Sequence, residues 1–478
     1  MSFTRMLSLF LAVILCAASL TACSQSFAQP SADDGELPVE SEEERYVEEN
    51  GYELDVVDYD GATCCFCTAS SLNVEEETGE SLNDAVYRRN EKVKSLYNVD
   101  LSSPDLPFDY NYNDWTTYVR RVIMSGDDAY QVISNGSHVM AAESLTKNQY
   151  QNLLNFDAFD FSQPWWTAEF QKAANLGGAL YETVGHVDAS FYNMTCAILF
   201  NKELAKDLHV EDLYQLVRDG KWTLDKLKEY TALAALDLDG NGQMDQDVDR
   251  FGLVCNRNNP LDAFVTAFHV IFTDFDEDGL PHLRDLPEYY VEIQETMMRF
   301  IVKDPEVLYA YDPGTMEFME GRALFEAAFL SRAVEYRAME NDFGILPYPM
   351  WNEEQGQYYT HNEFGSGYSI PVTTQGDMPA HILEALAYFG YKMVKPAYYD
   401  KTLKGKAVRD EESIEMLDLM FDHITYDFVE VYSHFFGTPS PDLLLRTSLF
   451  EGRSMAVEWA KKKGIYAKKM KELLSILS

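Results

Sequence analysis

The stretch GATCCFCTAS (Gly61–Ser70), followed by SLNDAVYRRNEKVKSLYNV (Ser81–Val99), decides the fold. The first run is small and apolar and is bounded by turn residues, so it reads as a buried strand. In the second, Leu82, Val86, Val93 and Leu96 or Tyr97 recur at helical spacing. NDWTTYVRRVIMSG (Asn113–Gly126) repeats the helical signal, with Trp115, Val119, Val122 and Ile123 on one side and Gly126 just past its end. AYQVIS (Ala129–Ser134) returns to a strand. Strand and helix alternating around a buried sheet give an α/β fold, whose loops at the strand ends are open to a ligand.

Downstream, GKWTLDKLKEYTALAAL (Gly220–Leu236) carries an apolar stripe of Leu224, Leu227, Thr231 and Ala234 behind Thr223 at the N-cap position. RFGLV (Arg250–Val254), RALFEAAF (Arg322–Phe329), DFGILPY (Asp342–Tyr348) and GSGYSIPV (Gly365–Val372) read as strands. PAHILEALAYFGYKMV (Pro379–Val394), EESIEMLDLMFDHI (Glu411–Ile424) and AVEWAKKKGIYAKKMKELLSIL (Ala456–Leu477) read as helices. No internal repeat is present. At 478 residues, 46% of them hydrophobic, the chain can build more than one packed core. Its 38 Lys and Arg stand against 79 Asp and Glu, a net charge of −41 that repels phosphate backbones and argues against nucleic acid as a partner.

The N-terminus has the layout of an export signal. Arg5 precedes the apolar run Met6–Leu20, which is too short to span a bilayer comfortably, and LTAC (Leu20–Cys23) resembles a bacterial lipobox. Residues 1–22 are therefore expected to be a lipoprotein signal peptide with Cys23 lipidated. Residues 23–50 form an acidic tether that cannot bury a core. Of the seven cysteines Cys16 leaves with the signal and Cys23 is lipidated, so five remain, an odd number that is no disulfide framework. Cys64, Cys65 and Cys67 are expected to be small buried hydrophobes of the first strand.

DLDGNGQMDQDVD (Asp237–Asp249) has oxygen-bearing side chains at alternate positions and glycine at the sixth, the opening of an EF-hand calcium loop. The expected ligands of one structural calcium are Asp237, Asp239, Asn241, the Gln243 carbonyl and Asp245. Position twelve is Val248, so Asp249 or Asp247 must complete the shell. A helix enters the loop and a strand leaves it, which removes the second helix a calcium sensor would swing open. TDFDEDGLP (Thr273–Pro281) alternates acids before glycine in the same way, lacks the later ligands, and reads as a hairpin turn.

Several stretches together, among them NDAVYRRNEKV, VIMSGDDAYQVIS, ILFNKELAKDL, RDGKWTLDKLKEY with the acidic loop, ENDFGILPYPMW and PAYYDKTLKGKAVRDEESIEMLD, resemble one family. It is that of the extracellular solute-binding proteins of carbohydrate ABC transporters, the group containing maltose-binding protein, and more narrowly a Gram-positive lipoprotein branch of it. The resemblance spans roughly Tyr52 to the final helix. It implies a two-lobe periplasmic-binding-protein-like fold (type II), with 51–190 and 366–425 in lobe one and 191–365 and 426–478 in lobe two. Crossings would fall near HVDASFYN (His186–Asn193), THNEFGSG (Thr360–Gly367) and HITYDF (His423–Phe428). It further implies a monomer at the cell surface, anchored to the outer face of the cytoplasmic membrane only by lipid, that passes a sugar or oligosaccharide to ABC permease subunits. YSHFFGTPSPDLLLRTS (Tyr432–Ser448) departs from the Trp-Gly-rich segment of relatives.

Sugar sites combine flat aromatic platforms with amide, hydroxyl and carboxylate partners. The family plan nominates Thr68, Ser70, Asn135, Ser137, Asp188, Tyr192, Phe329 and Phe364, with Phe435 or Phe436 as a last platform. Trp165 and Trp166 are expected to pack in the interior. The chain contains no HExxH, G-x-S-x-G, P-loop or G-x-G-x-x-G motif, so it offers no positive sign of catalysis. A surface adhesin, and behind it a secreted glycoside hydrolase, are the alternatives.

Overall fold

The structure is a computed structural model describing residues 52–68, 72, 74–145, 149–310, 315–336, 339–363, 365–403 and 411–477. The signal peptide, the tether, Cys23, Ser70 and Phe364 lie outside the described residues.

Two sheets organise the chain. The first holds β1 (Ala62–Thr68), β2 (Val99–Ser102), β3 (Val132–Gly136) and β11 (Ser366–Ser369) in the order β11-β3-β1-β2. β1 is parallel to both β2 and β3, whereas β11 returns antiparallel to β3. The parallel crossovers are the helices α1 (Ser81–Tyr97) and α2 (Tyr112–Met124), which bury Val86, Val93 and Tyr97, and Trp115, Val119 and Ile123. Gly126, just past α2, takes a left-handed φ of 73°, which costs glycine nothing. Cys64 and Cys67 are buried and Cys65 half-buried, all three as free thiols. β3 begins later than the apolar run suggested because the Gln131 side chain replaces a strand carbonyl, accepting the Cys65 N–H at 2.8 Å.

The second sheet holds β4 (Cys196–Asn201), β5 (Phe251–Asn256), β8 (Val307–Ala310), β9 (Ala323–Phe329) and β10 (Phe343–Leu346) in the order β10-β4-β9-β5-β8. β5 runs parallel to β8 and β9, while β4 is antiparallel to β9 and β10. The helix Leu224–Ala234 lies so close to β5 that a Cβ on Gly252 would meet the Thr231 carbonyl oxygen at 2.0 Å. β6 (Thr273–Phe275) and β7 (Pro281–Leu283) form the hairpin expected around Gly279. One assignment needs correcting. The helix Glu411–Asp422, expected with the first lobe, packs on β10, because its buried Leu417 and Met420 continue the cluster of Ala197, Leu199, Phe343 and Ile345.

Three segments cross between the sheets and bond to one another. The Cys196 N–H donates to the His361 carbonyl at 2.9 Å and the Glu363 N–H to Met194 at 2.9 Å; the Thr360 N–H donates to His423 at 2.9 Å. Isolated bridges join Thr195 to Asn362 and Thr360 to Ile424, so the crossings form one ribbon. No helix among the described residues is long and apolar enough to cross a membrane.

Candidate ligand cleft and acidic loop

Parallel strands deliver side chains and loops at their C-terminal ends, where open α/β sheets bind ligands. In the first sheet that edge carries Thr68, at the end of β1, and Asn135 and Ser137, where β3 turns into the helix α3 (Ser137–Ser144). The Asn135 side-chain oxygen accepts from the Tyr110 hydroxyl at 2.9 Å and the Gly136 N–H at 2.8 Å, while its amide nitrogen is buried without a partner. In the second sheet the matching edge holds a cavity of ≈ 270 Å³ lined by Asn256, Asn258, Glu326, Phe329 and Arg332. Phe329 sits there on the last residue of β9. Burial lifts the Glu326 carboxyl to about 8.

A second cavity, of ≈ 80 Å³, lies where the ribbon meets the helix Asn259–Ala267 and the segment after the third crossing. Val265, Val270, Phe272 and Leu443 give it apolar walls, and His361, Glu363, Asp427, Glu430 and Asp442 bring ionisable groups to it. Asp262, on that helix, faces it and is held by Arg446 at 2.7 Å. Asp427 caps the helix Phe428–Val431 and also accepts from the Phe272 N–H at 2.7 Å and the Thr273 hydroxyl at 2.9 Å. Burial opposes charge on His361, but Glu430 at 3.3 Å and Glu363 at 3.6 Å outweigh it and raise the imidazole to about 10, so it is an imidazolium at neutral pH. Burial raises Asp427 to about 6 and Asp442 to about 7. His434 reaches toward the first sheet, its ring 4.4 Å from that of His138 on α3, and burial keeps His138 neutral by lowering it to about 3.

The other nominated residues are placed elsewhere. Tyr192 is fully buried, bonded to His186 at 2.7 Å and stacked on Tyr398 at 4.9 Å. Asp188 accepts from the Ser190 N–H and the Tyr368 hydroxyl, both at 2.7 Å, and so belongs to the interior beside the first crossing. There too the buried Arg89 guanidinium donates to the Val187 carbonyl. Phe435 is half-buried beneath Lys469, whose ammonium lies 4.8 Å from the ring centre, and Phe436 is core. Trp165 and Trp166 are buried, their indole N–H groups donating to the two oxygens of Glu384 at 2.8 and 2.7 Å.

The loop Asp237–Asp249 is closed by its own carboxylates. Asp237 accepts from the Gly240 and Gly242 N–H groups, both at 2.7 Å, and these bonds lower its pKa. The buried Asp249 carboxylate accepts from Leu238 at 2.7 Å and Asp245 at 2.6 Å, tying the loop's two ends together. Oxygens of Asp237, Asp239 and Asp249 lie within 4.8 Å of one another, a spacing hard-cation ligands adopt. Asp247 is exposed and stands outside this group.

No protein-family model matches the chain, and no curated protein matches it by sequence. Solved structures do match. The GacH receptor of Streptomyces glaucescens, studied unliganded and with acarbose, is 15% identical at a TM-score of 0.54, covering 86% of this chain and 99% of that one. A cyclo/maltodextrin-binding protein complexed with maltotetraose is 11% identical at a TM-score of 0.54, covering 87% and 96%. The ABC substrate-binding protein Lmo0181 from Listeria monocytogenes, solved with cycloalternan, is 13% identical at a TM-score of 0.51, covering 87% and 98%. The chain has the periplasmic-binding-protein-like fold of these solute-binding proteins.

Proposed function

We propose that this protein is the lipid-anchored extracellular substrate-binding component of an ABC importer, capturing a sugar or oligosaccharide between its two sheets and delivering it to the permease. The observation that carries this reading is the paired edge. The C-terminal ends of β1 and β3, with Thr68, Asn135 and Ser137, and those of β5 and β9, with Asn256 and Phe329, belong to two sheets joined by one bonded ribbon. An aromatic ring, amide and hydroxyl side chains and a carboxylate are the partners a saccharide needs. The three matched structures named above are a receptor and two binding proteins, solved with acarbose, cycloalternan and maltotetraose. Cys23 supplies the anchor, and the loop Asp237–Asp249 holds one structural calcium through Asp237, Asp239, Asn241, the Gln243 carbonyl, Asp245 and Asp249.

Calorimetric titration over an oligosaccharide panel, followed by solution scattering of the saturated protein, tests the reading. Binding with a fall in radius of gyration is expected, because a hinged pair of lobes closes on its solute. A particle that binds no solute and never changes size would sink it. Replacing Cys23 by Ala is expected to release the protein into the medium; retention on washed membranes would sink the anchor.

A further inference from the structure

The ≈ 80 Å³ cavity beside the ribbon is charged in a way that a neutral sugar does not require. Five carboxyl groups, Asp262, Glu363, Asp427, Glu430 and Asp442, line it. The cations against them are His361, at 3.3 Å from Glu430, and Arg446, at 2.7 Å from Asp262. His434 adds no compensating charge, since burial lowers its pKa. Acid alone would mean little. The independent observation is hydrogen-bond capacity left unmet at depth. Glu363 is only 4% exposed, and its Oε2, 3.6 Å from the His361 Nε2, accepts no hydrogen bond among the described residues. Asp262, 6% exposed, has an ion pair but no hydrogen bond on either oxygen. Asp442, half-buried, leaves Oδ1 unbonded as well.

Burial favours the neutral form of these acids, and a positively charged donor is what returns them to carboxylates, which only accept. Leaving buried carboxylate oxygens without donors is costly, and a charge-assisted donor answers them better than a neutral one. The volume suits one small group and not a sugar ring. The ≈ 270 Å³ cavity, lined by Pro260 from the same helix Asn259–Ala267, is the larger of the two. We infer that the solute carries a protonated amine, which enters the cavity between Glu363, Asp262 and Asp442 while the rest of the molecule occupies the cleft. This rests on the solute-binding reading above and specifies its substrate class. A compact ammonium offers three donors, and these three carboxylates stand ready to accept them.

Titration with matched probes tests it: glucosamine oligomers of two to four units, the same oligomers N-acetylated, maltotriose, and spermidine. Glucosamine oligomers are expected to bind at least about tenfold tighter than maltotriose, which lacks the charge without added bulk, and than their N-acetylated forms, in which acetylation removes the charge and two donors and adds an acyl group. Glu363→Gln and Asp442→Asn are each expected to reduce that preference; should the deeply buried Glu363→Gln fail to fold, the shallower Asp442→Asn reads the same quantity. Binding of spermidine alongside the glucosamine oligomers supports the inference and shows that the amine suffices. Spermidine alone would keep the amine and overturn the carbohydrate reading. Neutral saccharides binding as tightly as amino ones, or a preference untouched in Asp442→Asn, would overturn the inference and leave the carbohydrate reading standing. No binding of any probe would overturn both.

Discussion

The loop Asp237–Asp249 and the cavity beside the ribbon are both acidic, and they treat their carboxylates in opposite ways. In the loop the chain turns back so that backbone N–H groups meet the acids: Gly240 and Gly242 on Asp237, Asn241 on Asp239, Leu238 and Asp245 on Asp249. The result is a lowered pKa at Asp237. In the cavity, burial raises Asp262 well above the carboxylate range and Asp442 to about 7. What differs is the supply of donors, which the backbone conformation sets. Counting acids in the sequence therefore says nothing about whether a site is complete.

Asp427 is the cavity residue most like the loop, and it breaks the contrast first. Its carboxylate accepts from the Phe272 and Val429 N–H groups and the Thr273 hydroxyl. Asp427→Ala is expected to destabilise by about 4 kcal/mol in urea unfolding, because several buried donors lose their acceptor together. A loss below about 1 kcal/mol would mean that water replaces the carboxylate.

The next effect is pH dependence, measured in chelator. Asp427, Asp442 and Glu326 have folded pKa values of about 6, 7 and 8, above their ordinary values. The stability tied to a raised pKa is full below the unfolded value and lost as pH rises through the folded one. Tm is therefore expected to fall by about 5 °C between pH 6.5 and pH 8.5, above the range in which His138 and His186, lowered to about 3 by burial, work the other way. His361 works in the same direction, losing its contribution progressively as pH rises from its ordinary value toward about 10. The lowered acids, Asp237 among them, act near and below pH 4, outside this window. A flat profile would mean that the cavity carboxylates are hydrated.

Calcium sharpens the other half of the comparison. Adding it at about a hundredfold excess over Kd is expected to raise Tm by a few degrees, with the rise lost in Asp239→Ala. An unchanged Tm would leave a turn held by its own N–H groups. The smallest effect belongs to a third kind of acid. Arg218 pairs with Glu412 and Glu415 in the open, and Arg218→Ala is expected to shift Tm by no more than about 1 °C, since solvent screens such pairs.

The α/β order, the strand of cysteines, the hairpin at Gly279 and most helices were legible, because each depends on local periodicity. Thr68, Asn135, Ser137 and Phe329 could be nominated because strand ends are visible in a sequence. β8 was missed: Val307–Ala310 is four residues long and lacks alternation. The charged cavity was missed for a different reason. Asp262, Glu363 and Asp442 are far apart in the chain and meet only through the ribbon, so no spacing announces them. Tyr432–Ser448, the segment where the sequence resemblance fails, supplies His434 and Asp442.

The ribbon has one more consequence. His361 and Glu363 stand on its middle strand, whereas Glu430 and Asp262 stand on helices beside it. Turning the ribbon changes those separations, and Coulomb energy depends steeply on separation in a poorly screened interior. On the proposed hinged mode, the rest angle would be set partly by charge. A positive group added to the cavity would then reset that angle at the place where it is bound. Occupancy and shape become a single variable, with no relay between a sensing part and a moving part.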